Sequence, residues 1–331
     1  MMTAFRTPSL APTILAALAL LCGTPAVGAP PSKVWVANAG SDGNPCSISQ
    51  PCLTFQHAHD TVAAGGEVDV LNPGDYGPVT INKSASIIND GVGEAGILAT
   101  SGTAVTVGAG AGDIVGLRGL VLDGAITGNV GVLINSVGAL HVQSCVIRNF
   151  QGSTSARGLF VQPVAGVAIK LFMSDTIVFN NGGGANVEGI ALVILTSPFD
   201  AVLERVQLEN NTRGLRVLAI SGAAAGQLHV TVRDSTVVGN VGDGILVDTI
   251  APQPSQGSFV LVERTTIANN GGIGVHADAP HAVVLLNRSR ITNNGTGVSA
   301  TNGGQVISYG NNKNNLNVGA EGAATGFFSP L

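Results

Sequence analysis

The chain has 331 residues, 45% of them hydrophobic, 11% charged and only 4% aromatic, with 46 glycines. This composition is too apolar and too weakly charged for a disordered chain, and it suits many short strands joined by tight turns. A formal net charge of −5 with scattered basic residues excludes the concentrated basic face that nucleic acid requires.

The first predicted element is an address. MMTAFRTPSL carries Arg6, and the apolar run APTILAALALL after it is too short to span a bilayer. Small residues follow in CGTPAVGAPPSK, and a cut after Gly28 puts Ala26 and Gly28 at the two small-residue positions. Residues 1–28 are therefore expected to be an export signal. Cutting after Ala29 would leave Pro30 beside the cut. Cys22 follows Leu21 rather than a small residue, which argues against a lipid anchor. No later apolar run reaches the length of a membrane span. The mature chain is expected in the periplasm or outside the cell.

Residues 29–75 read as an N-terminal loop, a capping helix and a first strand. Cys46 and Cys52 bracket CSISQPC, and in an oxidising compartment they are expected to pair as a disulfide. A metal site there would lack two further ligands nearby. LTFQHAHDTVAAGG places Phe55, Ala58 and Val62 on one helical face and ends at a Gly pair. His57 and His59 stand two apart, so they point to different faces and make a poor metal pair. EVDVLNPGDYGPVTINKS supplies a strand, a Pro-Gly turn and another strand.

A repeat fills residues 76–315. TIVFNN ends at Asn181, VQLENN at Asn211, TVVGN at Asn240, TIANN at Asn270 and RITNN at Asn294, in steps of 30, 29, 30 and 24 residues. Two earlier segments fit with altered anchors, Ala125 and Phe150. Three residues before the anchor stand Leu122, Ile147, Val178, Leu208, Val237, Ile267 and Ile291. Eight before it stand Leu117, Val142, Met173, Leu203, Val232, Val262 and Leu286, and ten before it Val115, Leu140, Leu171, Ala201, Val230, Val260 and Val284. The alternation is period two, as in strands with one buried face, and the parity shift between positions eight and five marks a bend. A third short strand follows each anchor, opening at Gly158, Gly189, Gly214, Gly244, Gly274 and Gly297.

Three short strands per repeat, stacked coil on coil, predict an all-β fold: a single-stranded parallel β-helix, a solenoid with a short N-terminal capping α-helix. Helical solenoids are excluded by the period of two and by the glycine content. Asn181, Asn211, Asn240, Asn270 and Asn294 are expected to form a structural side-chain ladder at a corner where Asn and Gly tolerate left-handed backbone. Cys145 falls in the small inward column five before the anchor, a buried and inert thiol. Glu204, Arg233 and Glu263, with Arg205, Asp234 and Arg264 beside them, alternate in sign from coil to coil and read as register control. Residues 316–331 read as a tail, with Phe327 and Phe328 covering the last coil.

The run SKVWVANAGSDGNPCSISQPCLTFQHAHDTVAAGGEVDVLNPGDYGPVTINKSASI resembles the opening of secreted bacterial right-handed parallel β-helix proteins of the pectate-lyase-like superfamily, and GGQVISYGNN resembles their last coil. The resemblance implies the fold over the whole mature chain. It leaves function open, because the fold hosts lyases, hydrolases, epimerases and adhesins.

No adjacent Asp pair, HG or RIK motif of galacturonases occurs in the chain. The outward positions of the third strands offer one candidate catalytic cluster. Asp248 and Asp278 should stack in adjacent coils, with His276 beside Asp278 and Arg216 on the same face. Such a carboxylate pair raises one pKa or recruits a cation. Two carboxylates fall short of a calcium shell, and no aromatic platform lies among them, with Trp35, Tyr76 and Tyr309 at the ends of the helix. The sequence therefore predicts a monomeric, non-catalytic exported scaffold without a metal or other cofactor, with a binding or structural role at the cell surface or in the periplasm and polysaccharide as its partner. The alternative is a lyase or epimerase acting on uronate glycans, with calcium.

Overall fold

The computed structural model describes residues 2–4, 29–163, 166–184, 187–194, 197–220, 227–250 and 257–328. Apart from residues 2–4, the expected export signal lies outside the described residues. Successive strands sort into three sheets of 12, 10 and 9 strands, here called the first, second and third. Every named pair of strands runs parallel, each strand bonding its counterpart one coil away. One coil runs through Ala139–Gln143 on the first sheet, Val146–Arg148 on the second and Arg157–Val161 on the third. The chain is a parallel β-solenoid.

The inward columns hold this register. Leu122, Ile147, Val178, Leu208, Val237, Ile267 and Ile291 form one continuous file through the second sheet, and all are buried. Leu117 through Leu286 and Val115 through Val284 do the same along the first sheet. Each such aliphatic contributes about 1.5–3 kcal/mol by leaving water. A one-residue slip would turn the whole file outward.

Two left-handed residues per coil close the triangle. Ser144, Asp175, Arg205, Asp234, Arg264 and Arg288 take φ between 47° and 54° at the bend between first and second sheets. At the other end of the short strand, Asn149, Asn180, Asn210, Gly239, Asn269 and Asn293 take φ between 51° and 66°. The paired asparagines thus divide the work: the first makes the corner and the second turns inward.

Those second asparagines are buried and linked. Asn240 Oδ1 accepts from the Asn211 N–H at 2.9 Å and from Asn211 Nδ2 at 3.3 Å. Asn211 Nδ2 also donates to the Val178 carbonyl one coil back. The pattern continues through Asn270 and Asn294 to Asn317. Glycine follows because space beside the ladder is short: a Cβ at Gly214 would meet the Gly244 carbonyl at 2.5 Å and Asn240 Nδ2 at 3.1 Å. A second ladder lies five residues earlier, where hydroxyls of Ser235, Thr265 and Ser289 accept backbone N–H groups of the preceding coil. Cys145 occupies that column, and burial pushes its thiol up to about 11.

The outer charges pair between coils, Glu204 with Arg233, Arg205 with Asp175 and Arg264 with Asp234, each at 2.6–2.7 Å. The capping helix Phe55–Thr61 starts at Thr54, whose hydroxyl accepts the His57 N–H, and it buries Phe55 and Ala58. Cys46 and Cys52 are joined. Among the described residues no helix is long and apolar enough to cross a membrane. The other end differs from expectation. Gly326–Phe327 adds a last strand to the first sheet, but Phe327 is 72% exposed. Phe328 rests on Tyr309 at 5.5 Å rather than on the core. Tail backbone meets the final coil instead, with the Ala320 and Glu321 carbonyls accepting the Gly297 and Val298 N–H groups.

Candidate functional site

Outward positions on the third sheet bring the sequence candidates together. Arg216, Leu246, His276 and Ser299 stand in one column, and Leu218, Asp248, Asp278 and Thr301 in the next. Asp248 and Asp278 are direct neighbours in register. Their partners, however, lie elsewhere. Arg216 Nη2 donates to Asp248 Oδ2 at 2.7 Å. Asp278 Oδ1 accepts from Thr301 at 2.8 Å and from Asn302 at 2.7 Å. His276 turns to Asp243 at 3.2 Å and to Thr301 at 2.9 Å, leaving Asp278.

A further column explains this arrangement. In four successive coils the residue before the third-strand glycine runs Arg157, Glu188, Arg213, Asp243, alternating in sign, with Arg213 and Asp243 carbonyls accepting the Gly189 and Gly214 N–H groups one coil away. Glu188 is fully buried, gripped by Arg157 at 2.9 Å and Arg213 at 3.0 Å, with Arg216 at 3.7 Å. The Arg157 guanidinium also lies over the Phe160 ring, 4.5 Å from its centroid. Sequence reasoning passed over Glu188, Arg157, Arg213 and Asp243 because they precede the strand alternation. The sign reversal at a fixed place before the glycine was the available signal.

The electrostatics follow from burial against partners. Burial pushes the Asp248 carboxyl up, while the Arg216 guanidinium works against that rise. Burial also opposes charge on Asp243, but the hydrogen bonds from His276 and the Ile273 N–H outweigh it and leave the carboxyl below its usual range. At Asp278 burial is likewise outweighed, here by the Thr301 and Asn302 donors. Guanidiniums thus hold Glu188 and Asp248, His276 holds Asp243, and the uncharged donors of Thr301 and Asn302 hold Asp278.

Calcium does not fit this network well. It wants six to eight oxygens, and Asp248 and Asp278 are already engaged. Among the described residues, the only trio of possible metal-ligand side chains within 4.8 Å is Cys46, Cys52 and His57, and its two cysteines are tied up in the disulfide.

Residues 130–313 match the family model described as "Right handed beta helix region". The chain belongs to that family. No curated protein matches the sequence. Among solved structures, this β-helix is similar to the crystal structure of pectate lyase Pel9A, with a TM-score of 0.63 at 13% identity over 90% of this chain and 78% of that one. It is also similar to a rhamnogalacturonan lyase, with a TM-score of 0.55 at 15% identity over 83% of this chain and 75% of that one. Identities this low carry the fold and not the chemistry.

Proposed function

We propose that this β-helix is an exported, monomeric, non-catalytic scaffold that binds polysaccharide along the outer face of its third sheet. One observation carries the reading: Glu188, Asp243, Asp248 and Asp278 all have protein partners within hydrogen-bonding distance. Elimination from a uronate needs a free base and a cation on the sugar carboxylate. Here the guanidinium best placed as a base, Arg216, is spent on Asp248 and Glu188. A pre-paired polar face suits recognition of hydroxyl groups better than proton abstraction. The disulfide fits export.

A polysaccharide lyase or epimerase that uses Asp248, Asp278, His276 and Arg216 with calcium is the second reading. It is favoured by the adjacent register of the two aspartates and by the upward shift that burial imposes on Asp248.

A screen of acidic and neutral polysaccharides tests the binding role. Gln162→Trp, and Ser299→Trp beside His276, place bulk on the outward face, and they should block a chain bound there. Silence across the screen would remove polysaccharide as the partner. Binding indifferent to both tryptophans would move the site off the third sheet.

A further inference from the structure

The outer face of the first sheet carries a second set of features that the third-sheet reading does not use. His141, Phe172, Val202, Thr231 and Leu261 stand in one outward column. Lys170, Asp200, His229 and Phe259 stand in the column beside it. In each column a histidine packs on the phenylalanine of the next coil. His141 and Phe172 have centroids 4.9 Å apart and planes 17° apart; His229 and Phe259 are 5.6 Å and 34° apart.

Phe172 is 40% exposed. His141 covers one face of its ring, and the next residue in register on the other side is the much smaller Val202. The step down from phenylalanine to valine opens a hollow of about 340 Å³, whose wall is Phe172 and whose rim includes Gln143, Ser174, Glu204 and Arg233. This falls in the range of small-molecule sites, about 300–1,000 Å³. Arg233 Nη2 holds Glu204 at 2.7 Å, while its buried Nε has no partner. A smaller hollow of about 180 Å³ adjoins Phe259.

We propose that this first-sheet face is a separate binding site for an uncharged polysaccharide, with Phe172 and Phe259 as stacking points and the Glu204–Arg233 pair as a clamp for hydroxyl groups. A pyranose ring offers C–H bonds on its face, which are drawn to the negative face of an aromatic ring. Its rim offers neighbouring hydroxyls, which suit the paired donors of a guanidinium and the paired acceptors of a carboxylate. Charge selects the class: Lys170 and Arg233 are matched by Asp200 and Glu204, so no net field favours an acidic chain. The two phenylalanines lie three coils apart, about 14 Å along the axis at about 4.8 Å per coil. That separation calls for an oligosaccharide rather than a single sugar, with both points contributing to avidity.

Isothermal titration with neutral gluco-, manno- and xylo-oligosaccharides, against oligogalacturonate as the acidic probe, tests the site. At least one neutral series should bind, with affinity about tenfold weaker in Phe172→Ala and lost in Phe172→Ala/Phe259→Ala. The double variant should keep the thermal midpoint of the parent, and Phe172→Tyr should retain binding. Ser299→Trp should leave the Phe172-dependent neutral binding unchanged, which separates this site from the third-sheet one. Absence of neutral binding would overturn the proposal, as would neutral binding untouched by the double variant. So would light scattering that showed these phenylalanines joining two copies of the chain.

Discussion

Arg216 and Asp248 meet across one coil of the third sheet, guanidinium to carboxylate at 2.7 Å, with only 21% and 13% of their side chains exposed. Removing one partner strands the other in a poorly hydrated place, which costs about 3–5 kcal/mol for a buried pair and less where water still reaches it. Arg216→Met should therefore lower the thermal midpoint more than Arg216→Met/Asp248→Leu, in which both charges are gone. Thermal unfolding followed by circular dichroism reads the difference. A double variant less stable than the single would show that the charge pair is not what the site depends on.

The two asparagines of a repeat should respond differently to the same change. Asn210→Gly should be nearly neutral, because the residue sits at φ 51° and Gly239 already fills that corner one coil on. Asn211→Gly should be destabilising, because it leaves the Asn181 N–H and the Val178 carbonyl without their amide partner. Each such buried group left unsatisfied costs about 1–3 kcal/mol. Urea unfolding midpoints of the two variants make the comparison, and equal losses would refute the division of labour.

His59 predicts a pH dependence of the cap. It is fully buried, its Nε2 lies 3.2 Å from Asn82 Oδ1 and its Nδ1 has no partner. Burial holds its pKa below the ordinary value, against the pull of Asn82. The unfolded chain then binds the proton more readily, so stability is complete above about pH 6.5 and declines as pH falls toward the folded-state value. The thermal midpoint should drop between pH 7 and about 5, above the range where the carboxylates titrate. His59→Leu should flatten that slope; an unchanged slope would place its origin elsewhere.

Much of the fold was legible because a solenoid repeats its physics. Val178, Leu208, Val237 and Ile267 recur at one place in the repeat because each must enter the same interior file. The double asparagine recurs because corner and ladder are separate demands on adjacent residues. The hydroxyl ladder through Ser235 and Thr265 was seen only as a column of small residues, since size reads in a sequence and hydrogen-bond direction does not. The site was half legible. Asp248 and Asp278 were placed in register by counting from the glycine, but counting does not say which way a long side chain reaches. Arg216 reaches back toward Glu188 as well as across to Asp248, and His276 reaches to Asp243. Phe172 and Phe259 were not legible as a surface, because an outward strand position accepts residues of any polarity and stacking between coils leaves no spacing signal.

Turnover on uronate polymers is the measurement that bears most directly on the non-catalytic role. Purified protein, calcium and pectin or alginate are mixed, and absorbance of unsaturated uronate is followed with time. A binding scaffold gives a flat trace with every polymer, including those it retains in the binding screen. A rising trace that Asp248→Ala and Asp278→Ala abolish would contradict it, and would make the third-sheet cluster an active site.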